Sequence, residues 1–216
     1  MKFNKIGFYF GNFNPIHEGH IYAIKNALNT TIDQLHLIVS SQSPFKKINE
    51  DTAPFQDRCE MVKLAIKSHK LDDKVIVNSS EKGKNPSYTS DTLKLLKPLF
   101  VNNDMILFLG LDDFLTIDKW KDAKYILENY TIYIIPRNCT DASELIQKKK
   151  EELIKNITQN IKSIGYSNPF KTFDMSASDI RNLVKLGKPI DNMVVKEVEE
   201  YIENNNLYKN QEETLF

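Results

Sequence analysis

The chain has 216 residues and a mass of 25.0 kDa, enough to bury a full core without disulfides or a structural metal. Its 41% hydrophobic and 27% charged residues exclude wholesale disorder. With 29 basic residues against 29 acidic ones, it lacks the basic excess of a protein that lives on duplex nucleic acid, so no nucleic-acid partner is expected. The 2 cysteines, Cys59 and Cys139, are too few for a disulfide framework and suit a reducing cytoplasm. The N-terminal apolar stretch runs into Asn and Pro too early for a secretory signal, and no apolar run is long enough to span a bilayer, so no membrane association is expected.

Short β-rich apolar runs alternate with helical patterns along the chain. Ile6 to Phe10 predicts a strand, followed by a turn and a helix from about Gly19 to Leu28. Leu35 to Val39 is the next strand, and the loop SSQSPFKKINEDTAP leads into a helix from about Phe55 to Ser68. Lys74 to Asn78 reads as a strand, Ser87 to Leu96 as a helix, and Met105 to Leu109 and Thr131 to Ile135 as two more strands. Strands spaced by helices in this way are βαβ units on a parallel sheet, and their continuous apolar runs suit strands covered on both faces. From Asp141 to Lys162 a Lys/Glu-rich stretch reads as a solvated surface helix. A short strand at Phe170 to Phe173, helices near Ser178 to Leu186 and Asn192 to Asn204, and a frayed tail complete the pattern. No linker or repeat interrupts it. We expect one domain over residues 1–216, with a helical C-terminal subdomain at about 175–208 packed on the sheet.

The segment GNFNPIHEGH, Gly11 to His20, falls where the first strand ends and the first helix begins, the place where open α/β sheets bind ligands. Gly11 permits close backbone approach, and Pro15 stiffens the turn. His17 and His20 stand i, i+3, on one face of a helical N-terminus that favours anions. Three chemistries fit the pair: two ligands of a zinc site still needing a third, a capping or core role, and hydrogen bonding to transferring phosphates. The Gly/Asn/Pro turn at a sheet end favours the third. His36, inside a strand, and His69, near a helix end, are not catalytic candidates.

This segment resembles the His-x-Gly-His signature of the nucleotidylyltransferase superfamily. Phe55-Gln56-Asp57-Arg58-Cys59-Glu60-Met61, Pro86-Ser87-Tyr88-Thr89-Ser90-Asp91-Thr92-Leu93, Phe108-Leu109-Gly110-Leu111-Asp112 with downstream Trp120, Met175-Ser176-Ala177-Ser178-Asp179-Ile180-Arg181 and Leu207-Tyr208 follow in the order and spacing of the nicotinate/nicotinamide mononucleotide adenylyltransferases, bacterial type. The resemblance covers essentially the whole chain. Departures are Phe10 for the first Gly of a Gly-Gly pair, Asn14 for a common Asp, and Phe45 for the His of a Pro-His-Lys loop.

The resemblance implies a Rossmann-like α/β fold, an open parallel sheet flanked by helices. It also implies adenylyl transfer from ATP, carried with Mg²⁺, to nicotinic acid mononucleotide, with the nicotinamide form as a second acceptor. Gly11, Asn12, Phe13, His17, His20, Gly110, Asp112, Ser176, Ser178 and Arg181 would bind ATP. Of these, His17, His20 and Arg181 would be catalytic, with Arg181 clamping the leaving pyrophosphate. Ser176 and Ser178 would offer hydroxyls and amides to an anion. Lys46, Tyr88, Thr89 and Trp120 would hold the mononucleotide, Trp120 by stacking. No protein-held metal is implied, and a homo-oligomer stays open. The competing readings are another nucleotidyltransferase, of pantetheine-phosphate or cytidyl type, and a non-catalytic nucleotide-binding protein.

Overall fold

The computed structural model describes residues 4–42, 51–136, 141–167 and 175–209. Six strands form one open, all-parallel sheet: β1 (Lys5–Gly11), β2 (Gln34–Val39), β3 (Val75–Asn78), β4 (Asp104–Gly110), β5 (Thr131–Ile135) and β6 (Ser163–Tyr166). Their spatial order is β3-β2-β1-β4-β5-β6. The chain therefore steps outward from β1 in one direction, returns to β4 on its other side, and steps outward again. The reversal lies between β1 and β4, and the crevice beyond their C-terminal ends is the natural ligand position of such a sheet.

Eight α-helices among the described residues cover the faces: α1 (Glu18–Leu28), α2 (Phe55–Ser68), α3 (Thr89–Leu96), α4 (Leu111–Leu115), α5 (Ala123–Asn129), α6 (Ala142–Asn156), α7 (Ala177–Lys185) and α8 (Lys196–Asn204). Side chains alternate across a strand. Ile6 and Phe8 of β1 therefore enter one core layer, with Leu93, Leu107, Phe114, Ile126 and Leu153, while Tyr9 enters the other, with Ile24, Leu37, Met61, Ile180 and Ile202. Each fully buried Ile, Leu or Phe contributes about 1.5–3 kcal/mol of transfer energy. Two filled layers explain why the strands read as continuous apolar runs. Among the described residues no helix is long and apolar enough to cross a membrane.

Five strands lie within a residue or two of their expected bounds. The sixth is a correction, because it forms from Ser163–Tyr166, immediately after the stretch read as a surface helix. The expected strand at Phe170 to Phe173 lies outside the described residues. The Lys/Glu-rich helix α6 is not wholly solvated either: besides Ala142, Ile146 and Leu153 it buries Lys149. The last helix starts four residues later than expected, at Lys196, because Asn192 is left-handed (φ 61°) and the N-cap Val195 is still extended.

Candidate active site

The turn after β1 is held in shape from several directions. A Cβ on Gly11 would lie 2.5 Å from the Phe13 ring, so only glycine fits beneath it. Phe13 itself, at φ 45°, points its ring into the core, edge-on to Tyr9 and His20. Its side chain is therefore a packing element, and only its backbone is left for the ATP contact expected of it. Asn14 uses its whole amide: Nδ2 donates to the Asp51 carbonyl, and Oδ1 accepts from the Ala53 N–H and from the Tyr208 hydroxyl. An Asp here would lose the first bond, which accounts for the amide at this position. Burial pushes the Tyr208 phenol well up, so it stays a donor.

Arg58 is the concealed support of this turn. It is 1% exposed and donates from Nε to Ala53 O, from Nη1 to Asn12 O, Asn12 Oδ1 and Ser40 O, and from Nη2 to Ser41 O. One guanidinium thus joins the chain after β1, the chain after β2 and the entry to α2. Burial pulls its pKa down from the ordinary value.

His17 is the N-cap of α1, and His20 is the third residue of the same helix. His17 Nδ1 accepts from the Gly19 N–H at 3.1 Å, and His20 Nδ1 accepts from the His17 N–H at 3.2 Å. This is a capping box built from imidazoles, so both rings carry a capping role. With Nδ1 accepting, the proton of each neutral ring sits on Nε2, which makes that edge a donor. The ring centroids are 3.8 Å apart. Among the described residues no third His, Cys, Asp or Glu joins them in a metal-ligating group.

Arg181, on α7, reaches this turn from the C-terminal end. Its Nη1 donates to the Asn14 carbonyl at 2.8 Å and its Nη2 to Ser178 Oγ at 3.2 Å, while its Nε is buried with no hydrogen-bond partner among the described residues. Ser176 caps α7 differently from what was expected. Its hydroxyl and N–H are both engaged by the Asp179 carboxylate, at 2.7 and 2.9 Å, in a Ser-x-x-Asp capping box. They are spent locally rather than offered to an anion, and an anion at this helix start would meet Asp179.

A cleft of about 410 Å³ opens at the C-terminal ends of β1, β2 and β4. Gly11, Asn12, Tyr88, Thr89 and Trp120 line it, so the structure brings together two of the expected ATP residues and three of the expected mononucleotide residues. His17, His20, Ser176, Ser178 and Arg181 stand outside its lining, grouped around the adjoining turn, and Lys46 lies outside the described residues. Gly110 and Asp112 are not in the lining. Asp113 is, because the phase of the short helix α4 turns that residue inward. The sequence reading also missed Glu81, a buried carboxylate of the cleft wall that accepts from the Thr92 hydroxyl at 2.8 Å and the Ser41 N–H at 3.3 Å. It missed Lys119 and Lys121 as well. Lys121 pairs with Asp91 at 2.8 Å, and its ammonium sits 4.8 Å from the Tyr88 ring centroid. Lysines that flank a tryptophan carry no local signal of a cleft; only the fold gathers them.

A phosphate-suited turn at the switch point of a parallel sheet, beside a cleft with aromatic walls, is the arrangement of a nucleotidyltransferase, and residues 8–183 match the cytidylyltransferase-like family. The chain is 37% identical over 207 residues to a probable nicotinate-nucleotide adenylyltransferase of Flavobacterium johnsoniae, covering 95% of this chain and 99% of that protein. It is 36% identical over 208 residues to one of Cytophaga hutchinsonii, with the same coverage. The chain belongs to the nicotinate-nucleotide adenylyltransferases of the cytidylyltransferase-like family. At the level of fold it is similar to the Plasmodium falciparum nicotinic acid mononucleotide adenylyltransferase, solved in complex with APC and with NaAD. The TM-score is 0.78 at 21% identity, over 95% of this chain and 97% of that one.

Proposed function

We propose that this protein transfers the adenylyl group of ATP to nicotinic acid mononucleotide, giving the dinucleotide and pyrophosphate in NAD biosynthesis, as a single domain in the cytoplasm. A 5′-phosphate oxygen of the mononucleotide attacks the α-phosphorus of ATP in line, and the bond from that phosphorus to the bridging oxygen of the leaving pyrophosphate breaks. The nucleophile is already an anion, so no base has to remove a proton, and catalysis consists of positioning and charge stabilisation.

The observation that carries this reading is the imidazole capping box. Because both Nδ1 atoms are tied to backbone N–H groups, each ring is held in the tautomer whose Nε2–H donates, as preorganised phosphate donors must. Arg181 supplies a planar cation at the same turn, with its buried Nε still to be paired. Mg²⁺ carried with ATP would offset the charge of the phosphates.

The mononucleotide is assigned to the cleft. Trp120 and Tyr88 offer faces to the pyridine ring. The N-terminus of α3, at Thr89, presents amides and a hydroxyl to its carboxylate. A site built for an anion leaves donors unmet when the neutral amide binds. Pyrophosphate release measured with ATP and each mononucleotide should give a higher kcat/KM for the acid. Equal or reversed values would overturn the acid preference, and no turnover with either would overturn the function.

Stacking is present before the transition state, so Trp120→Ala should raise the mononucleotide KM roughly three- to tenfold with a smaller effect on ATP. Trp120 is the sole indole, and mononucleotide binding should change the intrinsic fluorescence. An unchanged mononucleotide KM with silent fluorescence would return Trp120 to a packing role.

A further inference from the structure

We propose that Lys149, on the lysine-rich helix α6, is a positioning residue for the mononucleotide cleft: it pins Asp118 and, through it, the turn that ends in Trp120. The proposal rests on the reading of that cleft as the mononucleotide pocket.

Lys149 is unlike the other lysines of its helix. Its side chain is only 8% exposed, and its ammonium lies 2.6 Å from Asp118 Oδ1 and 3.3 Å from Glu152 Oε2. A buried ammonium is tolerated only when its charge is matched, so these contacts are a condition of the fold here, unlike an exposed pair. Lys148 and Lys155, with their heads in water, have no such requirement.

Asp118 belongs to a three-residue 3-10 turn, Ile117–Lys119, that connects α4 to Trp120. So short a turn has little stability of its own and takes its geometry from what anchors it. Ile117 is fully buried and fixes one side in the core. Asp118 fixes the other side on α6 through Lys149. The next two residues, Lys119 and Trp120, line the cleft, and the Trp120 N–H donates back to Ile117 O at 3.0 Å. The indole is therefore aimed by a turn with one apolar and one ionic anchor. The Lys149 ammonium beside Asp118 holds that carboxyl below the usual carboxylate range, in keeping with a tight pair. Releasing the ionic anchor leaves Asp118 unmatched against α6 and frees the turn to rotate, which moves the stacking face without touching the turn that carries His17 and His20.

Lys149→Met keeps an unbranched side chain one atom shorter and removes the charge. It should raise the mononucleotide KM by about tenfold, leave the ATP KM and kcat close to wild type, and shift the emission of the sole tryptophan in the ligand-free protein. Lys149→Arg should restore most of both. Wild-type mononucleotide KM and emission in Lys149→Met would overturn the proposal, as would a parallel rise in both KM values. If Lys149→Met does not fold, Asp118→Asn decides by the same readouts. Trp120→Ala distinguishes a failed anchor from a failed cleft assignment. If it leaves the mononucleotide KM unchanged, the cleft assignment fails. If it raises that KM while Lys149→Met does not, only the anchoring role fails.

Discussion

His17→Asn should lower kcat by about 10²–10³, the usual cost of losing one preorganised donor, while the thermal midpoint stays close to wild type. The separation follows from the two edges of the ring. Nδ1 caps α1 by accepting from the Gly19 N–H, and Asn is among the best N-cap residues, so it keeps that acceptor. What it cannot keep is the donor that the ring projects at Nε2. His17→Ala removes both functions and should add about 1 kcal/mol of destabilisation, worth roughly 2–4 °C in a chain of this size. His20→Ala should resemble His17→Ala, because His20 Nδ1 satisfies the His17 N–H and its ring packs on Phe13. Steady-state kinetics and thermal melts on the three variants separate capping from catalysis. Near-normal turnover in His17→Asn would leave the imidazoles as caps alone.

The largest effect on stability is expected at Arg58. Arg58→Ala leaves the carbonyls of Asn12, Ser40, Ser41 and Ala53 without their donor in a buried site. Hydrogen bonds from a charged group are worth about 1.5–3 kcal/mol each before relaxation, so even partial rearrangement should cost about 4 kcal/mol or more. That corresponds to a fall of roughly 10 °C in the thermal midpoint. Arg58→Lys should recover only a minor share, because an ammonium on one stem cannot reproduce a planar fork that reaches three segments of chain. Since Asn12 and Ser40 line the cleft, the surviving folded fraction should also bind the mononucleotide more weakly. A midpoint within 2–3 °C of wild type, about 1 kcal/mol in a chain of this size, would show that the network relaxes around the loss.

The sheet was legible because a strand buried on both faces must be apolar throughout, as the inner strands are, and the edge strand β3 keeps an apolar Val-Ile-Val run although it is only partly buried. β6 was not, since SIGY lies at the sheet edge, half-exposed, with a glycine and no strong period. α5 was missed because AKYILEN is only two turns long and is preceded by Asp122 in a left-handed conformation without a side-chain cap. The candidate site was legible where local chemistry requires particular residues, as in the Gly/Pro turn and the paired histidines. It was not legible where a polar residue acquires its role from distant chain. Arg58 and Lys149 look like ordinary helix-surface cations, and only tertiary packing reveals that each is buried among partners. The choice between Asp112 and Asp113 depends on the phase of a five-residue helix, which composition does not encode.

The Asn14 turn also sets an order of events in the life of the chain. Its side chain takes a hydrogen bond from Tyr208, 194 residues downstream, and its carbonyl takes one from Arg181, 167 residues downstream. Domains emerge from the ribosome N-terminus first, so β1, β2 and their helices are outside the exit tunnel long before either donor has been made. A nascent chain can pair its first strands, but the Asn14 turn lacks two of its donors until the final helices have been translated and have folded back. Closure of this turn is thus completed late, and a chain interrupted before Tyr208 carries the entire His-x-Gly-His motif with its Arg58, Asp51 and Ala53 contacts but without the phenol that finishes the Asn14 bonds.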